Sequence, residues 1–369
     1  MKLTSVAWHG FAVPFRQPYI ASNTRATVKY GLLLFLHSDT GLVGVGEASP
    51  VGVGTRSEVE EIARSIRALA SELLGKDPSK PLEWHRLPAA EIPSVVRFGI
   101  ETALLDLQGK ARQCPVATLL GGTAHPVPVN CLISAETPEK AVSEAKEGLG
   151  LGFTSFKLKV GLGTIGQDEA LVASVREMVG PIARLRIDPN QGWSVSQAIE
   201  AIRRLSPYDL EYVEQPVSAK DILGLAKVRR AVSVPIAADE SLGSTDDIRK
   251  LLAADCADLF IVKAGRLGSL ENAKVVMRLA ASAEKPVVVT SSLESSVGIA
   301  ASAHLASLLT FHPFAHGLAT GLLLENDLLS TPLLPSNGVL TIPQGPGLDV
   351  AVDVEALDRY SIDITGVIG

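Results

Sequence analysis

Apolar and polar positions alternate regularly along the chain from about residue 126. Short apolar runs that end in polar residues predict strands, and the segments between them, such as TPEKAVSEAKEGLGL and VSQAIEAIRRLS, predict helices because their apolar residues recur at helical spacing. The predicted strands are VPVNCLI, SFKLKVG, RLRIDPN, EYVEQP, PIAADES, LFIVKAG and PVVVTSS. Repeated strand–helix units indicate a parallel sheet, either closed as a barrel or open and doubly wound.

The preceding residues follow a different pattern, which predicts a mixed α+β unit. Two apolar runs in YGLLLFLHSDTGLVGVGEASP flank a turn and predict a hairpin. TRSEVEEIARSIRALASELLG predicts a helix that begins at a capping box of Ser57 and Glu60, and SVVRFGIETALLDLQGKARQ predicts a second helix. The stretch FRQPYIASNTRATVK is polar, which predicts a loop over residues 16–29.

The charged residues favour the closed barrel. Five predicted strands carry a charged side chain at their C-terminal end, and these are Lys159, Asp188, Glu214, Asp239 and Lys263. The last four are spaced by 26, 25 and 24 residues, about one strand–helix unit each. All strand ends of a closed barrel face one mouth, so these side chains converge there, whereas an open sheet would spread them along its edge. The first strand is not followed by GxGxxG, and the chain has no GxxxxGK[ST] motif.

Composition and charge exclude several classes of protein. The chain has 369 residues, 46% of them hydrophobic and 20% charged, which is typical of a folded α/β protein. A formal net charge of −6 offers no basic surface for nucleic acid. No apolar run is long enough for a membrane span, the first residues lack the apolar core of a signal peptide, and three scattered cysteines fit a reducing compartment. We therefore expect a cytoplasmic protein without nucleic-acid or membrane partners.

The carboxylates at the predicted mouth indicate a metal site. Asp188, Glu214 and Asp239 would raise one another's pKa by repulsion unless a cation compensates them. Oxygen ligands suit Mg²⁺, with Mn²⁺ tolerated, better than zinc. Asn190 and Glu240 stand beside two of these residues and are candidate supporting or alternative ligands. In the competing interpretation, each carboxylate caps a helix or pairs with an arginine.

The segment SFKLKVG places two lysines on one strand face. Side chains two residues apart on a strand point the same way, so Lys157 and Lys159 are both predicted to point into the barrel. Lys263 enters from four strands further round. Lysines on two sides of a carboxylate-bound metal suit proton transfer at a carbon beside a carboxylate, with a lysine of lowered pKa as the base.

The motifs KLK, DPN, VEQP, ADES and IVKAG occur in this order, and through them the chain resembles the enolase superfamily, in its muconate-lactonizing-enzyme-like branch. The resemblance implies an α/β fold: an α+β capping domain at residues 1–125, a TIM-like (β/α) barrel at 126–325 and a C-terminal segment at 326–369 that returns to the cap. The mandelate-racemase branch uses a late histidine base, which VVVTSSLESSVG lacks. A homo-oligomer is compatible with the sequence, which leaves the oligomeric state open.

The same resemblance implies roles for the residues at the mouth. Lys159 and Lys263 would flank a small-molecule carboxylate substrate, and Lys157 would tune the base and reach toward the substrate carboxylate. The implied Mg²⁺ ligands are Asp188, Glu214 and Asp239. A barrel that only senses a metabolite would not need both flanking lysines.

The late segments bear on the reaction. SSLESSVGIA followed by HGLATGLLL resembles the o-succinylbenzoate synthases of this branch, which implies dehydration of 2-succinyl-6-hydroxy-2,4-cyclohexadiene-1-carboxylate to 2-succinylbenzoate in menaquinone biosynthesis. GLATG offers no carboxylate for a dipeptide amine, which argues against dipeptide epimerisation, although Glu325 and Asp327 lie nearby. N-succinylamino acid racemase is a serious alternative, and muconate cycloisomerase is a weaker one.

Candidate substrate-binding residues come from these late segments and from the cap. The polar loop of the cap is predicted to close over the mouth. Glu294 either hydrogen-bonds near Lys263 or holds its own loop, and His316 is a candidate for the lining of the mouth. The substrate-binding candidates are Ser291, Ser292, Glu294, Gly317, Thr320 and Arg25.

Overall fold

The computed structural model describes residues 1–21, 24–80, 92–311 and 313–369. The strands are β1 (Leu3–Ala21), β2 (Thr24–Ser38), β3 (Val43–Glu47), β4 (Val127–Pro128), β5 (Cys131–Ile133), β6 (Ser155–Lys159), β7 (Arg184–Asp188), β8 (Leu210–Glu214), β9 (Ile236–Ala238), β10 (Leu259–Val262), β11 (Val287–Val289), β12 (Val339–Leu340) and β13 (Ser361–Ile368). The helices are α1 (Arg56–Leu73), α2 (Ser94–Arg112), α3 (Val116–Leu119), α4 (Pro138–Gly150), α5 (Ile165–Val179), α6 (Val195–Leu205), α7 (Ile222–Ala231), α8 (Thr245–Ala253), α9 (Ala264–Leu267), α10 (Leu270–Ser282), α11 (Ser296–Ala306) and α12 (Val354–Arg359). Within these ranges, no helix has the length and apolarity required to cross a membrane.

A parallel barrel forms the centre of the molecule. Strands β5 to β11 lie side by side in chain order, and each of the seven predicted strand segments overlaps one of them. A short segment at 315–318 closes the ring. The Asn130 amide donates to the His316 carbonyl (2.9 Å), and the Ser291 amide donates to the Gly317 carbonyl (3.0 Å). These bonds join the first strand to the last, which confirms the predicted TIM-like barrel.

An ion pair is buried in the barrel wall, near the strand ends that lie opposite the mouth. Arg186 is fully buried, and its guanidinium lies 2.5 Å from the carboxylate of Glu211. It also donates to the Tyr212 hydroxyl (2.8 Å) and to the Ser155 hydroxyl (2.8 Å). A buried charge is stabilised only by such partners. Because these partners lie on β6 and β8, Arg186 connects both strands to β7 below the site.

The cap is a four-stranded antiparallel sheet in the order β13-β1-β2-β3, against which α1 and α2 pack. The last strand returns from the C-terminus to the cap, as predicted, and there it pairs Ile368 with Val6. The predicted β2–β3 hairpin is confirmed, with Leu33 opposite Glu47. The division of the chain at residues 125 and 325 stays a prediction.

The predicted loop over residues 16–29 is wrong for residues 16–21 and 24–29, whereas residues 22 and 23 lie outside the described residues. Strand β1 continues to Ala21 and β2 begins at Thr24, and these two residues face each other across the ladder, as do Tyr19 and Ala26. The hairpin extends past the core of the cap, where its strands need few apolar side chains. Its polar composition therefore concealed its strand character.

Two further local features differ from what the sequence indicated. Helix α1 is capped by Thr55, whose hydroxyl accepts from the Glu58 amide (3.3 Å), so the capping residues lie two positions before the predicted Ser57 and Glu60. After β6, the segment GLGTIG (161–166) has the form GxGxxG. Its first amide donates to Asp168 (2.9 Å), and a capping box closes the start of α5, so these donors are already used within the protein.

Two carboxylates from the cap hold the barrel at the starts of barrel helices. Glu47, at the end of β3, accepts from the Ser295 amide (2.9 Å) and the Gly298 amide (3.0 Å) at the start of α11. Glu101, on α2, accepts from the Leu270 amide (2.5 Å) at the start of α10. Free amides at helix N-termini attract negatively charged groups, which explains why carboxylates make these contacts. The contacts join the cap to the barrel helices that follow β10 and β11.

Candidate active site

The two lysines of β6 lie at the mouth because of strand register. Lys157 pairs with Arg186 and Lys159 pairs with Asp188 across the parallel ladder, which places each side chain beside the inward-facing side chain of β7. Phe156 and Leu158 alternate with them and are fully buried in the layer between strands and helices. The lysines are 8% and 5% exposed, so the structure confirms that both point into the barrel.

The ammonium groups of β6 are paired with carboxylates from the next two strands. The Nζ atom of Lys157 lies 2.5 Å from Glu214 Oε1 and 2.9 Å from Asp188 Oδ2. The Nζ atom of Lys159 donates to Asp188 Oδ2 (2.7 Å) and to Asn190 Oδ1 (2.6 Å). Asp188 is therefore a counter-ion shared by both lysines.

A second charged group forms on the opposite side of the mouth. The Nζ atom of Lys263, just after β10, lies 2.6 Å from Asp239 Oδ2. Arg266 donates to Asp239 Oδ1 (2.7 Å) and to the Asp239 carbonyl (2.8 Å). The sequence analysis did not include Arg266 among the site residues. Its position three residues after Lys263, on the helical turn α9, is the signal that could have identified it.

With only protein groups as neighbours, the pKa values of the two β6 lysines are raised, which is opposite in direction to the lowering predicted for a base beside a bound metal. Burial by itself lowers the pKa of Lys159, but Asp188, together with Tyr19 and Glu214, outweighs it and the pKa is raised. The same balance, with Asp188 and Glu214 as partners, holds the pKa of Lys157 well above its usual value. Both ammonium groups therefore keep their protons while these carboxylates are their only neighbouring counter-charges.

The carboxylates have unused capacity for a cation. Glu214 Oε2 and Glu240 Oε2 are buried, and neither has a hydrogen-bond partner in the described structure. Burial, followed by repulsion from Asp188, raises the pKa of Glu214 to about 8. Within the described ranges, no three acidic, histidine or cysteine side chains are already arranged as a metal site, because lysines lie between them. A divalent cation would give the unpaired oxygens a partner, so the donor set fits one.

The backbone that follows β7 and β8 adopts an uncommon conformation at three non-glycine residues. Asn190 has φ 42°, Gln191 has φ 67° and Gln215 has φ 35°, all in the left-handed region. The buried Gln215 amide compensates this strain, because its oxygen accepts from the Asp239 amide (2.9 Å) and its nitrogen donates to Ser241 Oγ (2.8 Å). Strained residues that the surroundings hold in place are concentrated at functional sites, and these three follow directly on the carboxylate-bearing strands.

A cavity of about 330 Å³ opens above these charged groups. All three lysines line it, together with Asn190, Glu240 and Arg266. The predicted substrate-binding residues that also line it are Ser291, Ser292, Gly317 and Thr320. Ser291 and Thr320 are hydrogen-bonded to each other through their hydroxyls (2.7 Å), which joins the loop after β11 to the segment that closes the barrel.

Three other candidates do not line the cavity. Arg25 pairs with Glu136 (3.0 Å) and is largely exposed, because side chains alternate along β2 and its neighbour Thr24 takes the cavity side. Glu294 is buried behind the wall, where it accepts from the Ser292 amide, so it holds its own loop. His316 is buried in the barrel closure, where its Nδ1 accepts from the Val289 amide (3.1 Å).

The cap completes the cavity with residues that the sequence analysis did not single out. Tyr19, Ala21 and Thr24 come from the tip of the β1–β2 hairpin. The loop at 51–53, after β3, contributes Val51, Gly52 and Val53. The spacing of the barrel residues carried no information about this side of the cavity, because the contact between cap and barrel is made only in the tertiary structure.

Fold and site together define a class: capped parallel barrels with lysines and carboxylates at the strand ends. Comparison with family models agrees. Residues 5–121 match the mandelate racemase/muconate lactonizing enzyme N-terminal domain, and residues 140–357 match the enolase C-terminal domain-like family. The chain belongs to the mandelate racemase/muconate lactonizing enzyme family of the enolase superfamily, which confirms the predicted resemblance.

Individual relatives differ in their activities. An o-succinylbenzoate synthase from Thermobifida fusca is 44% identical over 241 residues, which is 64% of this chain and 71% of the relative. An N-succinyl Arg/Lys racemase structure from Bacillus cereus has 25% identity and a TM-score of 0.93, with 100% of both chains covered. A dipeptide epimerase structure from Cytophaga hutchinsonii, complexed with Mg and D-Ala-L-Val, has 28% identity and a TM-score of 0.90, with 100% of this chain and 99% of that chain covered. The protein is thus an enzyme of this superfamily, and the last structure supports divalent-metal binding.

Proposed function

We propose that the protein is an o-succinylbenzoate synthase that dehydrates 2-succinyl-6-hydroxy-2,4-cyclohexadiene-1-carboxylate to 2-succinylbenzoate. The composition of the cavity wall carries this proposal. Opposite the charged strand ends, hydroxyl groups and apolar side chains line the cavity, and the lining from the segment after β11 and from 317–320 includes no acidic residue. This wall suits a substrate arm without an ammonium group. The synthase from Thermobifida fusca supports the proposal through its 44% identity.

Asp327 gives further support, because its carboxylate is used elsewhere. It is buried, and it accepts from the Ser296 hydroxyl (3.1 Å) and the Leu333 amide (2.8 Å). The carboxylate is therefore part of the protein's own hydrogen bonding and is not directed at a substrate amine. This favours the synthase over a dipeptide epimerase.

In the proposed reaction, Lys159 acts as the neutral amine, which requires that its contact with Asp188 be given up first, and it removes the proton from the ring carbon that bears the carboxylate. The electron pair left on that carbon forms the new ring double bond, and the neighbouring hydroxyl takes up the proton that Lys159 now carries and leaves as water. Lys157 and Lys263 supply positive charge while negative charge develops on the substrate carboxylate. The cavity holds this carboxylate between the lysines and the hydroxyl-lined wall.

We further propose that Asp188, Glu214 and Asp239 hold Mg²⁺, or Mn²⁺ in its place, with Asn190 and Glu240 in support. When bound, the cation would stabilise the negative charge that develops on the substrate carboxylate and would compete with the lysines for the same carboxylates. The unpaired Glu214 Oε2 is the observation behind this assignment.

Racemisation of N-succinylamino acids is the second candidate, and a specific observation favours it. Lys159 is the last residue of β6 and Lys263 follows β10, four strands further round the ring of seven strands and one closing segment, and both line the cavity. One lysine suffices for the dehydration, whereas a racemase needs a base on each face of the α-carbon. Dipeptide epimerase and muconate cycloisomerase remain less supported alternatives.

The experiment is to assay the purified protein with Mg²⁺ on both substrates. For dehydration, Lys159→Ala and Lys263→Ala should each lose at least about a hundredfold in kcat, because general-base catalysis and the nearby charge are lost. Lys250→Ala, which removes an exposed lysine on α8, is the matched control and should retain activity. Wild-type protein without dehydratase activity would refute the synthase assignment.

The two candidates separate in D₂O with an N-succinylamino acid. If the protein is also a racemase, each lysine variant should lose α-proton exchange from one enantiomer and keep exchange from the other. Exchange from both enantiomers in both variants would rule out the two-lysine assignment. If the wild type dehydrates but exchanges neither enantiomer, the protein is a synthase alone.

A further inference from the structure

A buried lysine behind the cavity wall has no part in the chemistry proposed above. Lys29, on β2, is fully buried, and its ammonium group donates to the Pro50 carbonyl (2.8 Å) and the Gly52 carbonyl (2.6 Å). Burying an ammonium group is unfavourable unless it is hydrogen-bonded, and here both of these hydrogen bonds go to loop carbonyls. These carbonyls belong to the cap loop 50–53, three residues of which line the cavity.

The same loop is hydrogen-bonded to the barrel loop that follows β11. The Gly52 amide donates to the Ser292 carbonyl (3.1 Å), and the Ser292 amide in turn donates to Glu294. Ser292 also lines the cavity. One wall of the cavity is therefore a seam between a cap loop and a barrel loop, and one hydrogen-bonded chain runs from Lys29 through Gly52 and Ser292 to Glu294.

Acidic side chains surround the ammonium group from both domains. Glu47 on β3, Glu294 in the loop after β11 and Glu58 on α1 all act to raise the pKa of Lys29. Burial outweighs them and lowers this pKa to about 8. Glu47 also accepts hydrogen bonds from amides at the start of α11. The carboxylate of Glu47 that faces Lys29 therefore lies where the cap meets the barrel.

We propose that Lys29 is a positioning residue that holds the cap loop 50–53 against the barrel loop 291–294, and so sets the shape of the wall that receives the substrate arm. Lys29 acts through the loop and does not line the cavity. The claim about the loop is independent of the reaction, whereas its consequence for substrate binding rests on the proposed function.

Hydrogen exchange of the loop tests the proposal directly. In Lys29→Met, which keeps an unbranched side chain without the charge, protection of the Gly52 amide should fall at least about tenfold because a charge-assisted contact is lost. The Gly41 amide, which donates to the Ser38 carbonyl (3.1 Å) in the distant β2–β3 turn, is the internal reference and should not change. Unchanged protection at Gly52 in a folded variant would overturn the proposal.

A second pair of variants perturbs the loop without touching Lys29. Gly52 has φ +77° and Gly41 has φ +81°, and an added Cβ would meet nothing within 4 Å at either position. Alanine therefore introduces the same backbone strain at both sites. Gly52→Ala should raise KM by about tenfold with kcat changed less than about threefold, as expected for lost substrate binding. Gly41→Ala should leave both constants unchanged, and equal effects at the two positions would contradict the proposal.

A pH series in the wild type covers the case in which Lys29→Met does not fold. The protection factor of the Gly52 amide relative to that of Gly41 should fall as the pH passes about 8, because a neutral amine holds the two carbonyls less strongly. A constant ratio from pH 7 to 9 would overturn the proposal. If the exchange results agree while the protein has no dehydratase activity, the loop assignment stands and the proposed function fails.

Discussion

Glu101 provides a quantitative test of how the cap is joined to the barrel. Its carboxylate accepts from the Leu270 amide at the start of α10. Burial raises its pKa from 4.5 to about 7. Hydrogen bonds from the backbone amides of Leu270 and Glu271 act to lower this pKa, but burial outweighs them. The folded protein therefore binds this proton more tightly than the unfolded chain does, so the associated stability is complete below about pH 4.5 and is lost as the pH rises through about 7.

The magnitude follows from the two pKa values. The difference between 4.5 and about 7 corresponds to about 3 kcal/mol in the free energy of unfolding. Glu101→Gln keeps an oxygen that can accept from the Leu270 amide but cannot ionise. We expect this variant to match the wild type near pH 5 and to exceed it by about 2–3 kcal/mol at pH 8.5.

The measurement is urea unfolding of both proteins, without added metal, at half-unit steps from pH 5 to 8.5. The difference between variant and wild type isolates this one carboxyl from the others that titrate. Glu200→Gln, at an exposed position on α6, is the control for loss of a formal charge and should give a difference that does not vary with pH. A difference for Glu101→Gln that is equally independent of pH would refute the reasoning.

Two further predictions concern the metal and the barrel wall. Glu214→Gln should weaken Mn²⁺ binding at least about tenfold, because a charged carboxylate ligand is replaced by a neutral amide. Titration calorimetry measures the affinity, and circular dichroism should show that the helical content is unchanged. Unchanged affinity would exclude Glu214 as a ligand. Arg186→Met should lower the free energy of unfolding by about 3–5 kcal/mol, because it leaves the carboxylate of Glu211 buried without its partner. Adding Glu211→Gln to this variant should restore part of the loss, and a purely additive double variant would show that the two residues do not interact.

The barrel and its ring of charged strand ends could be predicted from the sequence, for a local reason. Side chains two apart on a strand share a face, and parallel strands in chain order bring their C-terminal ends together, so SFKLKVG and the spacing from Asp188 to Lys263 were sufficient. Every one of the seven predicted strand segments overlaps a barrel strand, and the return of the C-terminus to the cap follows the family resemblance.

What depends on the approach of distant segments could not be predicted in this way. The pairing of Lys159 with Asp188 raises a pKa that the sequence led us to expect lowered, because the sign depends on whether the desolvation of an ammonium group or a neighbouring carboxylate dominates. The position of Arg25 outside the cavity depends on which face of β2 meets the mouth. The seam between Gly52 and Ser292 joins residues 240 positions apart in the chain, and only the docking of cap on barrel brings them into contact. The sequence by itself thus determined the barrel and the residue types at its mouth, whereas the tertiary structure decided the charge balance and the wall that faces the substrate, because both arise from contacts between segments far apart in the chain.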